Sequence, residues 1–427
     1  MQKTIAGIAT PPGNSGIGIV RLSGPKALEI SRLRLKPRIA TTVKVLGDTA
    51  VAIYFKAPNS FTGEDIVELQ CHGGHFLLQK VLATAVSHGA VLAEPGEFSR
   101  RAFLNGKISL DQAEAIIDII NAESELQLQC ANKTFSGALR ERLGQIESEL
   151  IEISAKIEAA LDYPDEVGSP DISLESVKKE IDGLINTAAT GRIISHGINV
   201  AVLGKPNAGK SSIFNALLNN QRSIVTEIAG TTTDTISESI NYRGIKIIFH
   251  DTAGIRKGSN KIEILGIERT KKVIESCDIA LVIFDITEKP DGELLRLIGN
   301  KPHVAVYNKS DLEEFPSKIR GVAAKRLTGC LKVSALKNQN INEIKEQIYK
   351  KALFTPPAAD SIIITNARHL NELKQASAAL SRIDDAAPLD CIASEITTAL
   401  NHIGNITGTR ASEAVLDEIF SRFCLGK

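Results

Sequence analysis

The stretch Gly204–Ser212, GKPNAGKSS, decides how the rest of this chain is read. It fits G-x-x-x-x-G-K-[ST], follows the apolar run INVAVLG and precedes a helix-forming segment, so the pattern is strand, glycine loop, helix. Backbone N–H groups of such a loop, with the helix N-terminus behind it, cradle a β-phosphate. Lys210 would bring a point charge to the β- and γ-phosphates, and Ser211 a hydroxyl for Mg²⁺. Asn207, Ala208, Gly209 and Ser212 complete the expected phosphate contacts.

Working outward, three further elements follow at ordinary spacing. HDTAG puts Asp251 at a strand end, where its carboxylate can hold the Mg²⁺ shell; Thr252 and Ala253 follow, and then Gly254, whose N–H can sense a γ-phosphate. NKSD (Asn308, Lys309, Ser310, Asp311) ends another apolar strand. A carboxylate at Asp311 accepts from guanine N1–H and N2–H₂ together, whereas adenine would leave it unpaired. VSAL supplies Ser334, Ala335 and Leu336 as a loop backing the base. Four elements in this order specify a Ras-like P-loop GTPase domain, α/β in class, that takes GTP rather than ATP.

Two features depart from the common pattern. Ile255 stands after D-x-x-G, where signalling GTPases carry a glutamine that positions water. Ile cannot do this, so another polar group must. Neither the phosphate loop nor AGTTTDT offers an arginine to neutralise charge. The side-chain oxygen of Asn207 could ligate a monovalent cation placed against the phosphates, supplying that charge. An asparagine is nearly as much at home there as a turn residue.

The surrounding chain has other textures. Residues 1–112 mix short β-type runs (GIGIVRLSG, TAVAIYF, DIVELQCHGG) with Gly and Pro, an α+β unit. Residues 113–196 carry apolar side chains at three- and four-residue spacing and read as helical, with Ser173 as an N-cap. Residues 197–353 hold the nucleotide elements, and helical texture returns over 354–427. The expected architecture is therefore α/β plus α: a GTPase domain inserted into a helical domain, preceded by an α+β domain. A coiled coil between chains is the alternative for the helical parts, opposed by Gly137, Gly144 and Pro164.

Lys+Arg and Asp+Glu each total 50, so no global field draws the protein to nucleic acid or lipid; RNA contact needs a local patch or a partner. The most apolar segment, IALVIFDI, is far below the roughly 20 residues a membrane helix needs. MQKTIAGIATPPG lacks the pattern of a secretory leader, and the six cysteines form no C-x-x-C, so a cytoplasmic location without structural zinc or disulfides is expected.

PNAGKSS, IAGTTTD, DTAGIR, the glutamate of IEILGIERT and the terminal FCLGK together resemble the MnmE (TrmE) family of tRNA-modification GTPases. TIAGIATPPGNSGIGIVRLSG, NSFTGEDIVELQCHGG and EPGEFSRRAFLNGKISLDQAEAIIDIINA resemble the same family, so the likeness covers the whole chain. The resemblance implies a K⁺-activated GTP hydrolase. Its K⁺ would be held by Asn207, Thr226, Ile228 and Thr231, and its Mg²⁺ by Ser211 and Thr232, with Glu227, Ala229 and Gly230 in the same nucleotide-contacting loop. It implies Glu263 as the catalytic residue positioning water; without the family, Glu263 would be one more surface charge.

The N-terminal domain, by resemblance, has a folate-binding-type fold and forms a homodimer. Arg21, Glu68 and Lys107, with Lys427 from the tail, would contact 5-formyl- or methylene-tetrahydrofolate. A carboxylate can pair with a pterin edge, and cations with a glutamate tail. The family acts on tRNA with an FAD-dependent, MnmG/GidA-like partner, in a heterotetramer or larger, adding an aminomethyl or carboxymethylaminomethyl group to C5 of the wobble uridine. Some positions depart from the family pattern. Leu425 replaces Ile, Thr233 replaces Arg and Thr409 stands where an acid is common; SRLRLKPRIATTVKVLGD is short for its place.

A rival from another class is a ribosome-assembly or regulatory switch without one-carbon chemistry. Such proteins carry a basic KH-type domain with a G-x-x-G loop, and none follows residue 353. FCLGK also invites comparison with a prenylation box, but Gly426 and Lys427 occupy the wrong places and no polybasic run precedes it. The helix-forming SEAVLDEIFSRF instead delivers the Cys424 thiol and then the Lys427 ammonium to a fixed place, making Cys424 a candidate participant in the modification reaction. A small buried hydrophobe is its ordinary alternative. Cys424→Ser is expected to abolish tRNA modification while GTP hydrolysis continues, measured side by side; equal loss of both, or of neither, removes the role.

Overall fold

The structure is a computed structural model, and it describes residues 3–168, 170, 172–219, 237–251, 272–288, 290, 292–312, 330–353, 361–384, 387–423 and 426. Its strands are β1 (Ile5–Ile8), β2 (Ser15–Ser23), β3 (Thr41–Val45), β4 (Asp48–Phe55), β5 (Ile66–Gly73), β6 (Val91–Leu92), β7 (Ile198–Gly204), β8 (Ser237–Tyr242), β9 (Ile245–Asp251), β10 (Ile279–Asp285), β11 (His303–Asn308) and β12 (Leu331–Lys332). Its helices are α1 (Ala27–Ser31), α2 (His75–Ser87), α3 (Glu97–Leu104), α4 (Leu110–Asn121), α5 (Glu125–Phe135), α6 (Ala138–Asp162), α7 (Pro164–Val167), α8 (Glu175–His196), α9 (Lys210–Asn219), α10 (Gly292–Leu297), α11 (Ile341–Ala352), α12 (Ala367–Ser381), α13 (Leu389–Thr407) and α14 (Glu413–Ser421). Two compact units result: Met1–Asn121 with Ala131–Asp182 and Asn371–Lys427, and Ala122–Cys130 with Gly183–Leu370.

In the first unit, a sheet of order β3-β4-β5-β2-β1-β6 follows from period-2 alternation. Val67, Leu69 and Cys71 of β5 are buried with Val20 and Leu22 of β2 under Ile30 of α1 and Leu78, Val81 and Ala85 of α2. Glu68 and Gln70 therefore fall on the opposite face. Each buried Val, Leu or Ile among these contributes about 1.5–3 kcal/mol.

The helices of this unit obey the longer period. Leu143, Ile146, Leu150, Ile153 and Ile157 of α6 are all buried, and α6 packs along α13. Gly144 lies inside α6; a lone glycine costs about 1 kcal/mol in a helix, and the buried stripe outweighs it. Gly137 does precede the helix, in the left-handed region at φ 91°. Lys178 N–H donates to Leu174 O, so Leu174, buried, holds the place expected of Ser173 before α8.

After α13 the chain turns at Gly408, where φ is 92° and a methyl would stand 2.6 Å from the Phe103 ring. Then α14 folds back, burying Leu416, Ile419, Phe420 and Phe423 with Leu110 and Ala113.

The second unit holds a sheet of order β12-β11-β10-β7-β9-β8, parallel except for β8 against β9. Ile213, Phe214 and Leu217 of α9 and Ile341, Ile344 and Ile348 of α11 cover one face. Ile274, Cys277, Leu295 and Ile298 cover the other. A sheet buried on both faces demands nearly continuous apolar strands, which is how INVAVLG and IALVIFD read. Among the described residues no helix is long and apolar enough to cross a membrane.

Lys345 of α11 is 1% exposed, and desolvation lowers its pKa below the usual lysine value. A lysine depressed in this way destabilises the fold while both states hold the proton. The cost disappears as pH rises from the folded pKa to the unfolded value of about 10.4. Lys345→Met is expected to stabilise the protein by about 1 kcal/mol near neutral pH, with the gain vanishing above that unfolded value. Urea unfolding at two pH values checks this.

Candidate functional site

β7 ends at Gly204, a position that needs glycine because a methyl there would stand 2.5 Å from Ile283 O on β10. The loop beyond it turns through two left-handed residues, Asn207 at φ 64° and Gly209 at φ 86°. Lys210 opens α9 and is 9% exposed. Its ammonium donates to Gly204 O at 2.9 Å and Lys205 O at 2.6 Å, so it crowns the loop from within.

Asn308, 2% exposed, ties this loop to the base side of the pocket. Its Nδ2 donates to Ala208 O at 3.1 Å, and its Oδ1 accepts from Ala335 N at 3.2 Å. Asp311 Oδ1 accepts from Ser334 Oγ at 2.6 Å. That bond, aided by backbone N–H donation, lowers the Asp311 pKa and keeps it an anion. Ser334 Oγ also accepts from Lys337 N, and Ser310 N–H donates to Val333 O, fixing both loops. Leu336 is 86% exposed.

Lys309 sits at φ 65° and its ammonium pairs with Asp285 Oδ2 at 2.6 Å. Asp285 ends β10 and also accepts from Thr287 N and Oγ1. Burial alone would raise its pKa; the bonds from Lys309 and Thr287 outweigh that, and the net shift is downward. Asp285 was missed in the sequence. The available signal was an acid closing IALVIFD, at the same end of the sheet as Asp251 and Asn308.

Asp251 closes β9 in register with Val202, which places its backbone beside the phosphate loop. Ser211 and Ser212 lie in the first turn of α9, both exposed. Thr226, Glu227, Ile228, Ala229, Gly230, Thr231, Thr232, Thr252, Ala253, Gly254 and Glu263 lie outside the described residues, as do Cys424 and Lys427.

The first unit brings a second set together. Gly7, Arg21 and Glu68 form one row across β1, β2 and β5. Arg21 pairs with Glu68 Oε1 at 2.9 Å and lies over the Phe98 ring, 5.6 Å from its centroid. Gly426 of the tail rests on the β1 end of this row, at Gly7 and Ile8. A methyl on Gly7 would stand 3.3 Å from Gly426 Cα, and one on Gly426 would stand 2.0 Å from Ile8 O. Lys107 is exposed and its Cε lies 3.1 Å from where a methyl on Gly63 would be. The described contacts do not join it to the Arg21–Glu68 pair.

The crowned phosphate loop and the Asn308–Asp311 base side define the class: a P-loop protein of the guanine-nucleotide type. Comparison with known proteins narrows this. Residues 110–424 match the MnmE helical domain, and residues 4–107 match the N-terminus of the GTP-binding protein TrmE. The tRNA modification GTPase MnmE of Thermotoga sp. (strain RQ2) is 39% identical over 99% of this chain and 100% of its own. That of Carboxydothermus hydrogenoformans is 37% identical over 100% of both. A solved structure of Aquifex aeolicus Era bound to GDP and AlF4- is 30% identical over 45% of this chain and 69% of its own, with a TM-score of 0.30. The chain belongs to the MnmE family of tRNA modification GTPases.

Asp311→Asn is expected to weaken GTP binding by about 100-fold. Xanthosine triphosphate, which offers an acceptor where guanine offers its amine, should bind the variant better than the parent. Competition titration with both nucleotides reads this directly.

Proposed function

We propose that this chain is a K⁺-activated GTPase whose turnover serves modification of the tRNA wobble uridine. Membership of the family supports the coarse statement, a GTP hydrolase working in tRNA modification. The finer reading has Glu263 positioning the attacking water and the K⁺ supplying the positive charge that an arginine brings elsewhere. Asn207, Thr226, Ile228 and Thr231 would hold the K⁺; Ser211 and Thr232 would hold the Mg²⁺. The left-handed backbone at Asn207 is one asparagine tolerates without a ligand, so cation binding there stands on the resemblance and on the missing glutamine and arginine. GTP contacts are proposed at Asn207–Ser212, Thr226–Thr232, Asp251–Gly254, Asn308–Asp311 and Ser334–Leu336.

The observation that carries the modification reading over a plain RNA switch is the seat of the tail. Gly426 lies against β1 at Gly7 and Ile8, and Gly7 is in register with Arg21 and, through it, Glu68. The residues flanking it, Cys424 and Lys427, are those the reading assigns to the one-carbon reaction. Arg21 and Glu68 would present a cation and a carboxylate to tetrahydrofolate, with Lys107 and Lys427 as further cations. When bound, the folate would supply the one-carbon unit. In this proposal the chain works in the cytoplasm as a homodimer joined through its N-terminal, folate-binding-type domain, with an FAD-dependent partner and tRNA. Its regions are 1–112, 113–196, 197–353 and 354–427. GTP hydrolysis drives an open–close cycle of the nucleotide domain and is not itself the tRNA chemistry.

GTP turnover in K⁺ against Na⁺ tests the mechanism on wild type, Asn207→Ala and Glu263→Ala. K⁺ is expected to accelerate the wild type by about tenfold or more, and Asn207→Ala to erase the difference. Glu263→Ala should lower kcat by about 10²–10³ with KM nearly unchanged. Turnover indifferent to the alkali ion, with Glu263→Ala at full rate, would overturn it. Retention of 5-formyltetrahydrofolate by the wild type and its loss in Arg21→Ala separate this reading from the switch.

A further inference from the structure

The β8–β9 hairpin has a special place in the chain. It begins at Ser237, which follows Thr226–Thr232 in the sequence, and ends on Asp251 itself. Whatever sets the position of this hairpin sets the position of Asp251 beside the phosphate loop.

The turn of the hairpin is gripped by residues more than a hundred positions earlier. Leu126 N–H donates to Gly244 O at 3.3 Å. The Leu126 side chain packs on the same glycine: at φ 78°, a methyl on Gly244 would stand 3.0 Å from Leu126 Cγ. Asn241 Nδ2 donates to Glu123 O at 2.9 Å, and the Lys246 ammonium pairs with the Glu123 carboxylate. Glu123–Leu126 thus holds the hairpin by four contacts: a backbone bond, an apolar one, an amide and an ion pair. The helix that continues from this grip is α5.

Helix α8 is anchored to different strands. Arg192 pairs with Asp278 Oδ1 at 2.7 Å, and Asp278 Oδ2 accepts the Asn199 N–H at 2.8 Å. Asn199 lies in β7 and Asp278 just precedes β10, and neither strand joins the two nucleotide-sensing segments. One helix is therefore held by the two central strands of the sheet, and the other by the hairpin between those segments. Gln127 Nε2 bridges to Ser195 O near the end of α8, at 2.9 Å, so the two anchors meet.

We propose that the Glu123–Leu126 grip is a positioning device for GTP hydrolysis, coupling the seat of Asp251 to helix α5. The proposal rests on the GTPase reading above. Linkage makes it reciprocal: a nucleotide that shifts the hairpin alters its hold on α5, and loosening that hold alters the nucleotide site. The ion pair is the right handle for a test. Glu123 is half exposed, so exchanging its charge barely changes stability.

The test uses the full chain. Hydrogen exchange over residues 122–130 is expected to differ by about threefold or more between the GDP state and a non-hydrolysable GTP analogue. Glu123→Lys and Lys246→Glu should each lower kcat by about three- to fivefold at unchanged KM and unfolding midpoint, and the double exchange should restore it. Equal exchange in both nucleotide states, or single variants that hydrolyse GTP at the wild-type rate, would overturn the coupling while leaving the GTPase reading intact. A wild-type chain that hydrolyses no GTP would overturn that reading, and the coupling with it.

Discussion

The side-chain amide of Asn308 is the constraint on which the nucleotide site depends. It bridges the phosphate loop, through Ala208 O, to the base loop, through Ala335 N, joining segments a hundred and twenty-seven residues apart in the chain. At 2% exposure neither half of the amide has water as an alternative, and a buried polar group left unpaired costs about 1–3 kcal/mol. Gly209 is required for the same reason: a methyl there would stand 2.0 Å from Asn308 Nδ2. The glycine of the phosphate loop therefore serves two needs, a left-handed φ and the close passage of this amide. With Lys210 crowning the loop, much of the pocket is arranged by the protein's own bonds, which reduces the ordering that a nucleotide must cause.

A backbone-to-backbone approach plays the corresponding part in the first unit. Gly7 and Gly426 allow the tail to lie against β1, and no residue with a side chain fits at Gly426 beside Ile8 O without displacement. The contact is prepared far upstream. Phe420 and Phe423 join the core formed with Leu110 and Ala113, and Gly96, at φ 69°, leaves room for Phe420 O, which would stand 2.5 Å from a methyl there. Hydrophobic burial delivers the end of the chain, and two glycines let it settle on the row that holds Arg21 and Glu68.

The sequence made much of this legible, unevenly. Strands β7, β9, β10 and β11 were readable because both faces of their sheet are buried, so apolar runs and glycine loops alternate without ambiguity. The phosphate and base loops were readable because their chemistry permits few residue types. Asp285 was not, since a carboxylate after an apolar strand is common and its pairing with Lys309 appears only once β10 and β11 lie side by side. Helix α6 was readable through Gly144, because the local penalty of a glycine is smaller than the burial of the stripe around it. The grip of Glu123 and Leu126 on the hairpin left no trace in the sequence, for it joins two segments over a hundred residues apart whose residue types are ordinary. Nor could Ser173 be separated from Leu174 as the residue before α8, because the choice turns on the burial of Leu174.

The zero formal charge gains meaning from these contacts. A protein with no long-range attraction for RNA must gain its specificity from local arrangement or from a partner. Here the chemistry-bearing groups are held by short-range means: a buried amide at the nucleotide, an arginine–glutamate pair at the tail, a leucine on a glycine at the hairpin. Each holds in one geometry and fails with small displacement, as close-packed contacts do. Such a molecule is suited to conveying position. In the proposed coupling, a shift imposed on the first turn of α5 would be carried along its axis within residues 125–130, because the backbone hydrogen bonds of a helix resist compression. In that proposal nucleotide state is read along the helix without any charge moving, and the hairpin grip is where the reading would begin.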